Sequence, residues 1–475
     1  MKDSSPLELT GAQLREMLAA VGKKLASFVD TLPDQPTVKL NRSRRLAARL
    51  DEPPPEAGMP FRRLLGNLTD AVIPASLNTA SPGYLGFIPG GGLLHAAIAD
   101  LLTGATNRYT GLWVPAPGLV QLEISVIKWL CAWVGYSPAS GGLLTSGGSL
   151  ANLGAVVAAR GTTSRWREGT IYTSSVTHHS VLKSALIAGF LPEQVRTVAH
   201  DAAFRMCPAA LARAIEADRA AGRHPLMVAA SAGTTAVGSV DPLPELAALC
   251  QREGLWLHVD GAYGGCFVLT ERGRVALAGM ADADSITLDP HKGLFLPYGT
   301  GCLLVKDRNT LRSAFTVDSD YLPPPSEGDD QWDFADLGPE LSRPARGLRL
   351  WLPLKMHGVS AFRDALDEKL DLARDAQARI AALPHVRIVA PAVLSLFAFR
   401  VEPPTLPAPE WDGLNRRIIA RVNLGERVFL TGATVDEGGE RRFVIRVCVL
   451  SFRTHQDRID ELVSAMREAI ADPRG

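Results

Sequence analysis

The sequence predicts an α/β protein: a mostly parallel central sheet with helices on both faces, an N-terminal helical segment, and a small C-terminal α+β domain. Three observations carry this. Units of strand, turn and helix repeat between about residues 121 and 305, the pattern of crossover connections and so of parallel strands. Beyond residue 352 a long helix leads into strands and helices in mixed order. Residues 7–77 show helical spacing instead. The expected divisions are 1–80, 81–355 and 356–475.

At 475 residues the chain exceeds one ordinary domain, and 46% hydrophobic residues with a mean hydropathy of +0.07 suit a well-cored soluble protein. Fifty Lys and Arg balance fifty Asp and Glu, so no basic field points to nucleic acid or an anionic membrane. A small-molecule substrate fits better. No apolar run approaches the roughly 20 uncharged residues a membrane helix needs, and Met1-Lys2-Asp3-Ser4-Ser5-Pro6 lacks a signal-peptide core. The six cysteines, Cys131, Cys207, Cys250, Cys266, Cys302 and Cys448, are scattered without a C-x-x-C pair or Cys/His cluster. That pattern reads as a reduced, cytoplasmic protein without structural metal.

The elements follow in order. Leu14, Met17, Leu18, Val21, Leu25, Phe28 and Val29 recur at helical spacing, and the prolines around Pro54 separate them from Phe61-Arg62-Arg63-Leu64-Leu65. Residues 81–92 form a glycine-rich loop. Residues 121–134 are helical, and Leu143-Leu144-Thr145 leads through Ser146-Gly147-Gly148-Ser149 into a helix over 150–160. Glycines and hydroxyls at a helix start form an anion cradle, although Ser149 also suits an ordinary cap. Strand 170–173 feeds Thr177-His178-His179-Ser180, and strand 226–231 ends in Ala232-Gly233-Thr234-Thr235. Pro242 opens a helix that Gly254 closes. Residues 255–259 deliver Asp260 into a glycine-rich turn, and 283–288 deliver Asp289-Pro290-His291-Lys292-Gly293 before strand 299–305. After a loop expected to be mobile over 323–346, the C-terminal part offers strands at 386–389, 394–400 and 443–450 and helices at 411–422 and 458–470.

The chemistry gathers at strand ends. Lysines are mostly solvated, but Lys292 sits at a strand terminus within a core, where desolvation is expected to lower the amine's pKa and leave it nucleophilic. Asp260 suits a turn cap equally well until it is paired with such a lysine. Pyridoxal phosphate needs both groups: an amine for its aldehyde and a carboxylate to keep its ring nitrogen protonated. Ser149, His178, Thr234, Asp260 and Lys292 all follow strand carboxyl ends, which converge on one crevice in an α/β sheet.

Thr145-Ser146-Gly147-Gly148-Ser149, Thr177-His178-His179-Ser180-Val181, His258-Val259-Asp260-Gly261-Ala262-Tyr263-Gly264-Gly265 and Asp289-Pro290-His291-Lys292 resemble, in order, the motifs of the group II pyridoxal-phosphate-dependent amino-acid decarboxylases. The resemblance runs from about Leu14 to near the C-terminus. It implies the fold-type I architecture and a homodimer with shared active sites, the N-terminal helices wrapping the partner. It also implies pyridoxal 5'-phosphate held by Gly147, Gly148, Ser149, His178, Thr234, Asp260, Ala262, His291 and Lys292. His178 would stack on the ring, with Ala262 on the opposite face; His179 stands where the family usually has a small residue. By the same resemblance Phe87 and Ile88 wall the substrate pocket, Tyr109 reaches the neighbouring subunit's site, and Arg446 lies near the substrate carboxylate. The substrate expected is an aromatic or bulky apolar L-amino acid. One departure stands out: the closing loop of the family brings a proton-donating tyrosine, and counting back from Gly347-Leu348-Arg349-Leu350-Trp351 places Phe334 there. Phenylalanine cannot give a proton. Family members with phenylalanine at that place include aldehyde synthases, so oxidative deamination to an aldehyde is the alternative. A catalytically silent cofactor-binding protein of the same fold is a third reading, against which the intact Lys292, Asp260 and His178 stand.

Overall fold

The computed structural model describes residues 5, 7–39, 43–317 and 330–473. Most of the opening run, and 323–329 of the loop expected to be mobile, lie outside them. Among the described residues the large domain has seven strands: β1 (Gly141–Thr145), β2 (Gly169–Ser174), β3 (Val195–Val198), β4 (His224–Ser231), β5 (Trp256–Gly261), β6 (Ser285–Leu288) and β7 (Gly301–Val305). Their order is β1-β7-β6-β5-β4-β2-β3, and only β7 runs against its neighbours. The apolar strands carry no alternation because both faces are covered by helices. The helix Pro117–Val134 is long and apolar enough to cross a membrane by length and composition. Here Val120, Ile124, Ile127 and Leu130 bury its stripe in the large core.

Gly301 shows why β7 starts with glycine. A Cβ there would lie 2.5 Å from the carbonyl carbon of Gly147 and 2.7 Å from Thr145 Oγ1, so the turn after β1 would be pushed away. Gly254, at φ 68°, closes the helix Leu243–Glu253 in the left-handed conformation expected of it.

The helical segment Arg346–Ala381 is broken at Gly358, where φ 73° and ψ 161° leave helical space. It begins earlier than residue 352 and joins the two domains. The small domain is an antiparallel sheet ordered β10-β11-β9-β8, formed by β8 (Val386–Ala390), β9 (Leu396–Val401), β10 (Thr431–Glu437) and β11 (Glu440–Cys448). Phe397, Phe399, Ile445, Ile459, Leu462 and Met466 share its core. Leu85 belongs to that core too, donating its N–H to Phe429 O and accepting from the Cys448 N–H. Leu85 is thus packed into the small core, and Ile88, three residues on, into the large one.

N-terminally, the helix Gly11–Thr31 has a capping box between Thr10 and Gln13. No residue along it is buried; Leu14, Leu18, Leu25 and Val29 are exposed.

Candidate active site

One cavity of about 280 Å³ opens at the carboxyl ends of the parallel strands. The β1 turn brings Gly147, Gly148 and Ser149 to it, the β2 turn His178, and the β4 turn Thr234. Strand β5 ends on Asp260 with Ala262 beyond, and β6 feeds Asp289, His291 and Lys292. The parallel crossovers deliver these groups, 145 residues apart in sequence at the extremes, to one place.

Strand register explains the polar floor. His258 and Asp260, two apart on β5, share a face, and in the parallel pairing they lie beside Ser285 and Thr287 of β6. Three of them, His258, Asp260 and Thr287, meet Asn152 of the helix Gly148–Gly161. Asn152 Nδ2 donates to Asp260 Oδ2 (2.9 Å) and to Ser180 Oγ (2.9 Å). Its Oδ1 accepts from Thr287 Oγ1 (2.7 Å) and pairs with His258 Nε2 (3.0 Å). A carboxylate only accepts, so the amide nitrogen must face Asp260 and the oxygen must face His258. His258 therefore donates from Nε2, leaving its Nδ1 to accept from Ser285 Oγ (2.8 Å), which in turn accepts from the Trp256 indole N–H (2.8 Å). Burial pushes His258 down to about 4, in keeping with a neutral ring.

The same logic reaches His178. Its Nδ1 accepts from the Ser180 backbone N–H (3.3 Å) and lies 2.7 Å from Ser180 Oγ. With Asn152 donating into Ser180 Oγ, the serine proton is free to point at Nδ1, and the histidine proton belongs on Nε2. Burial lowers the His178 pKa against the opposing charge of Asp260. His179 is exposed, tilted against His178 at 4.2 Å between ring centres, and does not line the cavity.

Lys292 departs from expectation. Burial alone would pull its amine down, but the Asp289 carboxylate, 2.9 Å from Nζ, outweighs it and the net direction is up. The desolvation expected from the sequence is real; the carboxylate three residues earlier reverses its effect. Asp289 Oδ1 is buried, with no hydrogen-bond partner among the described residues.

Five other candidates lie outside the cavity lining. Phe334 is 1% exposed, on a short turn of helix, with the Arg343 guanidinium 4.5 Å above its ring and Trp332 edge-on to it. The loop position it was expected to occupy over the site is thus a core position, because the Trp332 and Arg343 side chains enclose it. Arg446 is 4% exposed, and its donors go to Ala236 O (3.0 Å), Thr431 Oγ1 (3.0 Å), Phe87 O (3.3 Å) and Thr235 O. It clasps two backbone segments and the Thr431 hydroxyl, and its donors are taken up by them. Phe87 is 54% exposed at φ 46°, a conformation fixed by that clasp and by its N–H to Thr431 Oγ1 (3.1 Å). Ile88 is buried in the large core, and Tyr109 donates its hydroxyl to Leu341 O (3.1 Å).

Sequence reasoning gave no role to Asn152, Ser180, His258 or Asp289, although the last three stand inside the quoted motifs. Two of them left a signal. Asn152 interrupts the apolar run Leu150-Ala151-Asn152-Leu153-Gly154-Ala155, and His258 sits two residues before Asp260 on the same strand face.

The donor set fits pyridoxal phosphate. It has an amine at Lys292, a carboxylate at Asp260 and a helix start with glycines at Gly147 and Gly148. Gly148 keeps the cradle open: a Cβ there would stand 2.9 Å from Asp289 Oδ2 and 3.2 Å from Ala262 Cβ. The buried, unpartnered Asp289 Oδ1 is one more polar atom left for a ligand to meet.

Comparison with known proteins agrees. The model of the pyridoxal-dependent decarboxylase conserved domain matches residues 44–402. The chain is 32% identical over 468 residues to the aromatic-L-amino-acid decarboxylase of Bacillus atrophaeus, covering 98% of this chain and 97% of that one. Tryptophan decarboxylase of Catharanthus roseus, solved in complex with L-tryptophan, superposes with a TM-score of 0.90 at 25% identity over 98% of this chain and 100% of its own. The 4-hydroxyphenylacetaldehyde synthase of Rhodiola rosea does so with a TM-score of 0.89, also at 25% identity over 98% and 100%. The family match runs through every strand end that builds the cavity, and with it the chain belongs to the pyridoxal-dependent decarboxylase family, an amino-acid decarboxylase whose cofactor is pyridoxal 5'-phosphate.

Proposed function

We propose that the chain decarboxylates an aromatic or bulky apolar L-amino acid to the amine and carbon dioxide. One observation carries this: Lys292, Asp260 and His178 line a single cavity in a chain 32% identical, end to end, to a decarboxylase of aromatic L-amino acids. Lys292 would supply the amine that holds the cofactor's aldehyde. Asp260 would keep the ring nitrogen protonated, His178 and Ala262 would hold the ring, and the helix start at Gly147, Gly148 and Ser149, with Thr234 and His291, would hold the phosphate. When bound, pyridoxal phosphate supplies a cationic ring that takes up the electron pair left by the departing carboxylate. The residues add orientation and fixed charge.

The cradle gives an expected result. Gly148→Ala places a methyl group 2.9 Å from Asp289 Oδ2 and 3.2 Å from Ala262 Cβ and so crowds the cavity, and cofactor affinity should fall by about tenfold or more, equivalent to about 1.4 kcal/mol. Titration of the cofactor-free variant with pyridoxal phosphate measures this, and unchanged affinity would remove Gly148 from the cradle.

The chain is proposed to work as a homodimer with shared sites. The exposed Leu14, Leu18, Leu25 and Val29 on one helix, and Ile98, Leu101 and Leu102 on another, supply apolar surface for a second copy. Six free cysteines suit the reducing cytoplasm.

Aldehyde formation is the second reading, favoured by the likeness to the Rhodiola synthase. The test is an assay of the holoenzyme on aromatic amino acids with amine, carbon dioxide and oxygen measured together. Amine equal to carbon dioxide without oxygen uptake is expected, and oxygen consumed in step with aldehyde establishes the second reading. Silence on all of them would sink the aromatic substrate class. Phe334→Tyr should leave the product unchanged, because residue 334 faces Arg343 and Trp332.

A further inference from the structure

We propose that Asn152 is the positioning residue of this site: its single carboxamide orients Asp260 directly and, through Ser180, fixes the proton of His178 on Nε2. The proposal rests on the reading that Asp260 and His178 grip the cofactor ring.

Asn152 is 1% exposed and lies in the middle of a helix that is otherwise apolar on its buried face, where an amide costs stability unless its hydrogen bonds are made. They are: two donors and two acceptor positions are all occupied. The partners on the oxygen side, His258 and Thr287, are 0% exposed and come from neighbouring strands, so the amide plane is fixed from β5 and β6 at once. The partners on the nitrogen side are the carboxylate that would face the ring nitrogen and the serine that abuts His178 Nδ1. Asp260 is further held by the Ala262 N–H at 3.1 Å. A one-way run of donors results: Trp256 to Ser285, Ser285 to His258, His258 to Asn152, Asn152 to Ser180, and Ser180 to His178. Reversing any member breaks at least one neighbour, because the indole only donates and the carboxylate only accepts. Protonating His178 on Nδ1 would set that proton against the Ser180 backbone N–H, so the same arrangement holds the ring neutral. One side chain in the cavity lining thereby sets both groups that would contact the ring.

The test is a mutant cycle on the holoenzyme, reading the rate of cofactor release into an excess of scavenger. Asn152→Ala should release the cofactor about tenfold to a hundredfold faster, the size of a lost hydrogen bond to a charged group. Thr287→Val, which removes one of two donors to the amide oxygen, should do so about threefold. In an Asp260→Asn background, where the amide no longer faces a carboxylate, Asn152→Ala should add less than about twofold. If Asp260→Asn alone releases the cofactor no faster than the wild type, the reading of Asp260 fails. If it releases faster but the Asn152→Ala effect simply multiplies with it, the positioning role is overturned while the reading of Asp260 stands. Asn152→Ser, which keeps a small polar group in the helix, serves the same cycle should the alanine variant not fold, and circular dichroism separates misfolding from release.

Discussion

Lys292→Ala should lose turnover on every amino acid by at least about 10³-fold, because a tethered amine acts at an effective concentration no buffer amine can match. The same change has a second, separable effect. Asp289 is 2% exposed at its side chain, and Lys292 Nζ is its closest counter-charge; His291 Nε2 stands 3.7 Å away. Removing the lysine strands a buried carboxylate whose other oxygen is already without a partner. Thermal stability should fall along with activity, by about 1–3 kcal/mol or more. Lys292→Ala combined with Asp289→Ala should recover stability and leave turnover lost. Exogenous small amines should restore a fraction of turnover to the single variant, as expected when the missing group is an amine and the cavity that held it persists. A Lys292→Ala enzyme that kept most of its turnover would refute Lys292 as the aldehyde-binding group.

How much of this was legible in the sequence depends on what each residue needs around it. The central strands were readable because their apolar runs are buried on both faces and end in glycine or hydroxyl turns. Strand β3, Val-Arg-Thr-Val at a sheet edge and half-exposed, has no such run, and neither does β10, whose Thr431-Gly432-Ala433-Thr434 alternation is broken by glycine. Residues that line the cavity follow directly from strand ends, which is why Ser149, His178, Thr234, Asp260 and Lys292 could be named from order alone. Asn152 acts through contacts from other elements, and no local pattern states which polar residue a helix will turn inward; Asp289 pairs with Lys292 three residues on, within its own motif. Arg446 shows the limit from the other side. The resemblance leads one to expect a guanidinium near the substrate carboxylate, but the backbone carbonyls of residues 87, 235 and 236 that absorb its donors come from 210 to 359 residues away.

Phe334 poses the same problem and leads to the second large effect. The residue is enclosed because Arg343 stacks on it, and Arg343 is held by Glu123 at 2.6 Å and by Leu144 O at 2.8 Å. Both charged side chains are 1% exposed, and the Nε and Nη1 of Arg343 are buried without partners. This is a buried ion pair with its desolvation incompletely met, which is costly to break and of little net worth intact. Glu123→Ala should therefore destabilise the large domain by about 3–5 kcal/mol, since the guanidinium is left with one carbonyl and a ring face. Glu123→Leu together with Arg343→Met should return most of that loss, because two apolar side chains of similar volume need no partner. Chemical denaturation of the three variants checks the pair. A Glu123→Ala variant within about 1 kcal/mol of the wild type would mean that water reaches the guanidinium. The double variant also tests what the pair does for the segment. Trp332, Phe334 and Arg343 together dock residues 330–345 against the start of β1, where a Cβ on Gly141 would already meet the Trp332 ring at 3.1 Å. If apolar replacements keep that docking, proteolysis between residues 330 and 345 should stay as slow as in the wild type, whereas Glu123→Ala should speed it, since a loosened Arg343 frees Phe334 to leave the core.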